Sequence, residues 1–232
     1  MENVKGLKMI QNYEDFISML RVAGMSMGGD NNEGVFSLSS YFESNILWHT
    51  EDKETDPWEW RIRVLNETGD IAYGKLFFKK SGFITKEWYP YFYAIRRNNK
   101  EFHDEYETGN LSYLSKRIYQ LFNDNESIPI HIIKQELNIT KEDKSMFDKA
   151  VIELQTKMYL TMCGNSRKIS SKGQVYGWSS TVFCKTENFF GDEVIETAKS
   201  IKKEDAYKVI WEHIYSLNHK ADEKKVKKFI LG

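Results

Sequence analysis

Cysteine is scarce in this 232-residue chain, with Cys163 and Cys184 the only two. That is too few for a disulfide-stapled secreted scaffold and leaves too few thiols for a structural zinc site. Both are expected to be reduced, with a redox pair left open if they fall on neighbouring strands. Excess charge is also missing. A formal net charge of −1 and a pI near 6.5 remove the usual warrant for non-specific attraction to nucleic acid or membrane, so any such contact must be local. No apolar run approaches the roughly 20 residues that span a bilayer. Met1 to Gln11 lacks the apolar stretch of a secretory signal, so the expected compartment is the cytoplasm. There is no G-x-x-x-x-G-K-[ST] loop, no G-x-G-x-x-G fingerprint, no G-x-S-x-G elbow and no H-E-x-x-H. These absences argue against nucleotide hydrolysis, dinucleotide redox chemistry and the commonest hydrolases, and no cofactor is expected.

What is present suffices for a folded chain: 41% hydrophobic residues can bury a real core in one large domain or two modest ones. Asn12 to Ala23 has helical apolar spacing, after which Gly24, Gly28 and Gly29 imply a mobile loop. Asp56, Pro57 and Glu59 mark a helix start of the capping-box kind, with Trp58, Ile62 and Leu65 on one face and Gly69 at its end. Ile71 to Lys80 alternates as a strand, Ser81-Gly82 suits a tight turn, and Phe83-Ile84 begins a return strand. Thr85 then caps a helix whose first turn must hold Pro90.

The polar stretch closed by Gly109 suggests two parts, 1–108 and 109–232. The second part begins with helices over Leu111–Phe122 and Ile130–Leu137 and a third capped by Thr140. Two strands follow, Met158–Cys163 and Val175–Lys185, then further helices over Asp192–Ser200 and Glu204–Leu217 and a basic tail. Three helices and a hairpin are the winged-helix order. The fold class is therefore α+β, mostly helical, with winged-helix units and short β-hairpins.

The segment from Tyr41 to Arg97 holds fourteen aromatic residues, including four of the six tryptophans, interleaved with Arg61, Arg63, Lys75, Lys79, Lys80, Lys86, Arg96 and Arg97. Aromatic planes beside cations suit base stacking with phosphate contact. The candidates for nucleic-acid binding here are Trp48, Trp60, Arg61, Lys75, Lys79, Lys80, Lys86 and Trp88, joined by Arg167, Lys168 and Lys172 of the presumed wing. For general acid or base work the candidates are Glu87, Glu59 and His49, since a carboxylate against tryptophan is desolvated or used as an anchor. Capping explains Glu59 as well, and core packing explains many of the rings. No second His or Cys stands beside His49 at ligand spacing, so no metal is expected.

The run Leu47-Trp48-His49-Thr50, then Asp56-Pro57-Trp58-Glu59-Trp60-Arg61, then Tyr73-Gly74-Lys75-Leu76-Phe77-Phe78-Lys79-Lys80-Ser81-Gly82-Phe83 and Glu87-Trp88-Tyr89-Pro90 resembles the bacterial AlkZ-related family, most strongly over Phe42–Arg97. That family is named for a distant similarity to AlkZ-type DNA glycosylases, which are built from winged-helix units and excise alkylated or crosslinked bases. The resemblance implies a DNA-associated fold, DNA as partner and a place in DNA repair. It carries over no catalytic motif. AlkZ-type enzymes hold the attacking water with Gln-x-Gln or Gln-x-Asp, whereas Gln11, Gln120, Gln135, Gln155 and Gln174 are followed two positions on by Tyr13, Phe122, Leu137, Lys157 and Tyr176. A carboxylate such as Glu87 or Glu59 would have to take that role. Three functions stay open: a DNA-associated relative of the lesion-base glycosylases, a non-catalytic interaction module on the same fold, and an enzyme acting on a small ligand. Where Trp48, His49, Arg61, Lys79, Glu87 and Trp88 point separates them.

Overall fold

In this computed structural model residues 6–30, 33–169 and 173–232 are described. The chain opens on helix α1 (Tyr13–Ala23), where the Asn12 side chain accepts the Asp15 N–H and Gly24, at φ 74°, closes the last turn. Gly24 leads into a strand rather than a mobile loop: β1 (Met25–Met27) is buried throughout and pairs antiparallel with Gly82, Phe83 and Ile84. A three-residue strand between glycines has no period to reveal it. Helix α2 (Pro57–Glu67) starts at Asp56 as expected, but its buried face carries Pro57, Trp60, Val64 and Leu65, and Trp58 faces outward.

Strands β2 (Ile71–Phe77) and β3 (Lys80–Thr85) form the expected hairpin with the turn displaced. It falls at Phe78-Lys79, both at positive φ, and Phe77 pairs with Lys80. This is the twist a two-residue hairpin loop demands, met here without glycine. Gly82 instead lies inside β3, where a Cβ would collide with the Phe77 ring and come within 3.0 Å of the Ser26 carbonyl. Thr85 stays in the strand, and the next helix, α3 (Tyr89–Arg97), begins after Trp88 with Pro90 in its first turn.

The polar stretch near residue 100 contains a short helix, α4 (Phe102–Glu107). Then come α5 (Tyr113–Gln120), β4 (Ser127–Pro129), α6 (Ile130–Glu136), α7 (Lys144–Thr156), β5 (Leu160–Ile169) and β6 (Val175–Lys185). Thr140 does not cap α7; its hydroxyl donates to Asp143 at 2.8 Å, and Asp143 precedes the helix. Strand β6 pairs antiparallel with both β4 and β5, which completes a winged-helix unit. The chain ends with α8 (Thr186–Phe190), α9 (Asp192–Ser200), α10 (Lys203–Leu217) and α11 (Glu223–Leu231). The basic tail is thus a helix that buries Val226, Phe229 and Ile230.

The six strands among the described residues share one sheet in the order β1-β3-β2-β5-β6-β4. The pairing of Tyr73 with Met162 carries it from the elements before residue 108 to those after. Alternation along β2 and β3 divides the core: Ala72, Leu76 and Ile84 pack under α3, α10 and α11, while Ile71, Tyr73 and Phe83 pack under α1 and α2. A third cluster fills the winged-helix unit. Cys163, at a bulge in β5, lies near Cys184 of β6, and both thiols are free. A hydrogen bond between them lowers the pKa of Cys163 and, with burial, raises that of Cys184. No helix among the described residues is long and apolar enough to cross a membrane.

Candidate functional site

Asp56 organises the start of α2 and the loop before it. Fully buried, its carboxylate accepts the backbone N–H groups of His49 at 3.1 Å, Thr50 at 2.8 Å, Glu51 at 3.1 Å and Trp58 at 2.8 Å. Desolvation pushes its pKa up, but these four donors win and hold it below the ordinary carboxylate range. The same bonds keep His49 and Glu51 at positive φ. So constrained, the loop presents Trp48, 40% exposed, and α2 presents Trp58, 42% exposed. The Trp48 ring lies over Gly29, where a Cβ would come within 3.2 Å of it. His49 sits between the two tryptophans, its ring 4.9 Å from that of Trp58 and 6.4 Å from that of Trp48.

Two cations complete this face. The Arg61 guanidinium lies 3.5 Å above the Trp58 ring, and its Nε donates to the Trp58 carbonyl at 2.8 Å. Lys75 follows Tyr73 on the side of β2 that packs under α2. Its Nζ donates to Ser81 Oγ at 3.1 Å. Burial, and then the nearby Arg61 charge, lower the Lys75 pKa. The face therefore combines stacking surface with positive charge and a loop whose positive-φ residues are held by Asp56, a pre-organised arrangement for a planar, anionic ligand.

The other candidates fall elsewhere. Trp60 is completely buried, its Nε1 donating to the Lys53 carbonyl at 3.1 Å. Its ring stacks on Phe16 in the core, so it has no surface to offer a base. Glu59 sits half-buried on the first turn of α2 between Trp58 and Trp60. Lys79 is exposed in the hairpin turn, and Lys80 pairs with Glu33 at 3.0 Å. Arg167 is exposed on β5, Lys168 is placed there by backbone pairing with Tyr176, and Lys172 lies outside the described residues.

Glu87, Lys86 and Trp88 belong to a second place, at the start of α3. Glu87 and Lys86 line a cleft of about 510 Å³ together with Arg21, Asp70, Thr85 and Glu193. Arg21 is paired with Asp70 at 2.9 Å and Lys86 with Glu193 at 3.5 Å. Trp88 turns away, stacking on His213 with ring centroids 3.9 Å apart. His213 bonds the Ala23 carbonyl at 2.8 Å, and burial lowers its pKa. Among the described residues no group of three or more His, Cys, Asp or Glu could hold a metal ion.

Helical spacing puts Trp58 on the buried face and local chemistry puts Ser81 in a turn, whereas Trp58 is exposed and Ser81 lies in β3. Pro57, Trp60 and Val64 fit helical spacing as well as Trp58, Ile62 and Leu65 do, so periodicity alone could not choose between them. No curated protein and no solved structure matches the chain. The helix–sheet scaffold that carries both places lies within residues 10–231, which match the family model described as AlkZ related, and the chain belongs to that family.

Proposed function

We propose that this chain is a DNA-associated protein that recognises a lesion or unpaired base, the function that its family and the α2 face together support best. The exposed rings of Trp48 and Trp58, on either side of His49, offer the base its stacking surface, and Arg61 meets a flanking phosphate with Lys75 beside it. Arg167 and Lys168 on β5 add phosphate contact. The observation that carries this reading is the pair of exposed tryptophans held by the Asp56-bonded loop beside two cations. The link to repair rests on likeness to AlkZ-type enzymes, which is analogy rather than geometry.

A base placed on this face lies closest in sequence to Glu59, on the same helical turn as Trp58. For base excision that carboxylate is the group to hold the attacking water, in place of the absent glutamine motif. Glu87 is the alternative, in the cleft at α3. The test is fluorescence anisotropy with a labelled duplex carrying a tetrahydrofuran abasic analogue at low salt. Binding is expected to weaken steeply as salt rises, and Trp58→Ala to weaken it by a factor on the order of 5 to 100, as loss of one stacking platform does. Absence of any binding at low salt removes the reading. Where release of an alkylated base is observed, Glu59→Gln is expected to slow it about 100-fold or more.

A further inference from the structure

Lys75 is an unusual lysine. It emerges half-buried from β2, and its ammonium has no carboxylate partner among the described residues. Ser81 Oγ is its hydrogen-bond partner at 3.1 Å, and the charge that acts on it is the like-signed Arg61. Other cations of the segment from Tyr41 to Arg97 have an acid or several carbonyls to meet. Lys80 meets Glu33, Arg63 meets Glu54 and Glu67, and Arg96 meets four carbonyls. A lysine placed beside a guanidinium without an anion destabilises its own charged form, so a larger share of it is neutral amine at a given pH. Its backbone is held from both sides, the N–H by Gln155 Oε1 at 3.0 Å and the carbonyl by Thr156 Oγ1 at 3.0 Å. The side chain therefore starts from a fixed point on the sheet.

We propose that Lys75 is a nucleophile for an aldehyde, and that its substrate is the ring-opened deoxyribose of an abasic site held on the Trp48–Trp58 face. This rests on the DNA reading above and adds a covalent activity to it. The neutral Nζ lone pair attacks the C1′ aldehyde carbon, and the carbonyl oxygen takes up the proton that the nitrogen loses. The resulting carbinolamine expels water and leaves a C=N bond between Lys75 and C1′. Amine and aldehyde thus become imine and water, with no change of oxidation state. Ser81 Oγ, within hydrogen-bond reach of Nζ, keeps the amine oriented, and Arg61 holds an adjacent phosphate while keeping Lys75 from being strongly protonated.

The experiment uses the full chain and two duplexes that differ at one position. One carries the tetrahydrofuran analogue, which has no aldehyde and reports binding alone. The other carries a natural abasic site and is incubated with sodium borohydride, which reduces the imine to a stable secondary amine. The expected result is binding to the first duplex and a trapped protein–DNA adduct with the second, with Lys75 identified as the modified residue by peptide mapping. Lys75→Arg, which keeps the charge, should lower adduct per bound complex at least ~10-fold, with Lys75→Ala as the second variant and circular dichroism confirming that each is folded. Binding without an adduct, or an adduct undiminished in Lys75→Arg, overturns the proposal and leaves the DNA reading standing. No binding to the analogue overturns both.

Discussion

At the α2 end of the aromatic and basic segment, Arg61 lies on Trp58 in contact with solvent, whereas on α3 the same residue types are closed in. Arg96 donates to the carbonyls of Leu76, Thr156, Phe229 and Ile230. It thereby joins β2 and the ends of α7 and α11. Burial pushes its pKa down to about 10, so it stays charged near neutrality. Arg97 pairs with Glu187 at 3.1 Å and lies 3.9 Å over the Tyr159 ring, and Tyr93 donates to the same Glu187 oxygen at 2.9 Å. Rings and cations of one composition thus serve as a surface in one place and as a joint in the other. The difference lies in the partners: carbonyls and acids that consume the donors on α3, and few on the face that carries Trp58.

That comparison breaks first, and with the largest effect, at Arg97. Its side chain is 6% exposed, and Arg97→Ala removes the charge partner of Glu187, which is 28% exposed and keeps the Tyr93 hydroxyl as a donor. Chemical denaturation should show a loss of about 2 to 4 kcal/mol, the penalty for one partner removed from a buried pair reduced by the solvent contact of Glu187. A loss below 1 kcal/mol would mean that the joint is not structural. Next comes Asp56→Ala, which removes a helix cap and three loop bonds together and should cost about 2 kcal/mol or more by the same measurement. Because the folded Asp56 pKa is depressed, its contribution is present above the ordinary value of 3.8 and lost as pH falls below it. The difference between wild type and Asp56→Ala should therefore shrink in acid, and a gap independent of pH from 6 down to about 2 would contradict the carboxylate's role.

Trp58→Ala should cost no more than about 1 kcal/mol of stability, since its ring is exposed and its main contact is one cation–π pair. This contrasts with its larger expected effect on DNA binding, and thermal melts beside anisotropy would sharpen the distinction between face and joint. The smallest effect is expected for Lys86→Ala, whose pair with Glu193 is exposed on both sides. Stability should change by about 0 to 1 kcal/mol, and only at low salt.

Much of the scaffold is legible in the residues. Asn12 with Gly24, and Asp56 with Pro57, mark helix ends through local chemistry that needs no distant partner. The winged-helix order follows from short-range apolar spacing in α5, α6 and α7, although β4 is too short to show a pattern. Gln155, which spacing places on the outward side of α7, is buried because α7 ends against β2 and the Lys75 N–H needs an acceptor. The hairpin turn illustrates the limit. Ser81-Gly82 has better turn chemistry than Phe78-Lys79, yet Gly82 is needed inside the strand, where Phe77 and Ser26 approach too closely for any side chain.

The candidate residues divide in the same way. That the segment from Tyr41 to Arg97 is rich in rings and cations is a property of composition, and the family resemblance is carried by that pattern. Which rings reach solvent is not, because Trp58 and Trp60 are two residues apart on one helix, and the direction of the core decides between them. The sequence by itself determined the helix start at Asp56, the alternation of β2 as far as Lys75 and the family. Only the tertiary structure separated Trp48, Trp58, Arg61 and Lys75 from Glu87 and Trp88. The physical reason is that burial and partner satisfaction depend on elements distant in sequence: Gly29 beneath Trp48, α7 beside Lys75, and α10 against Trp88.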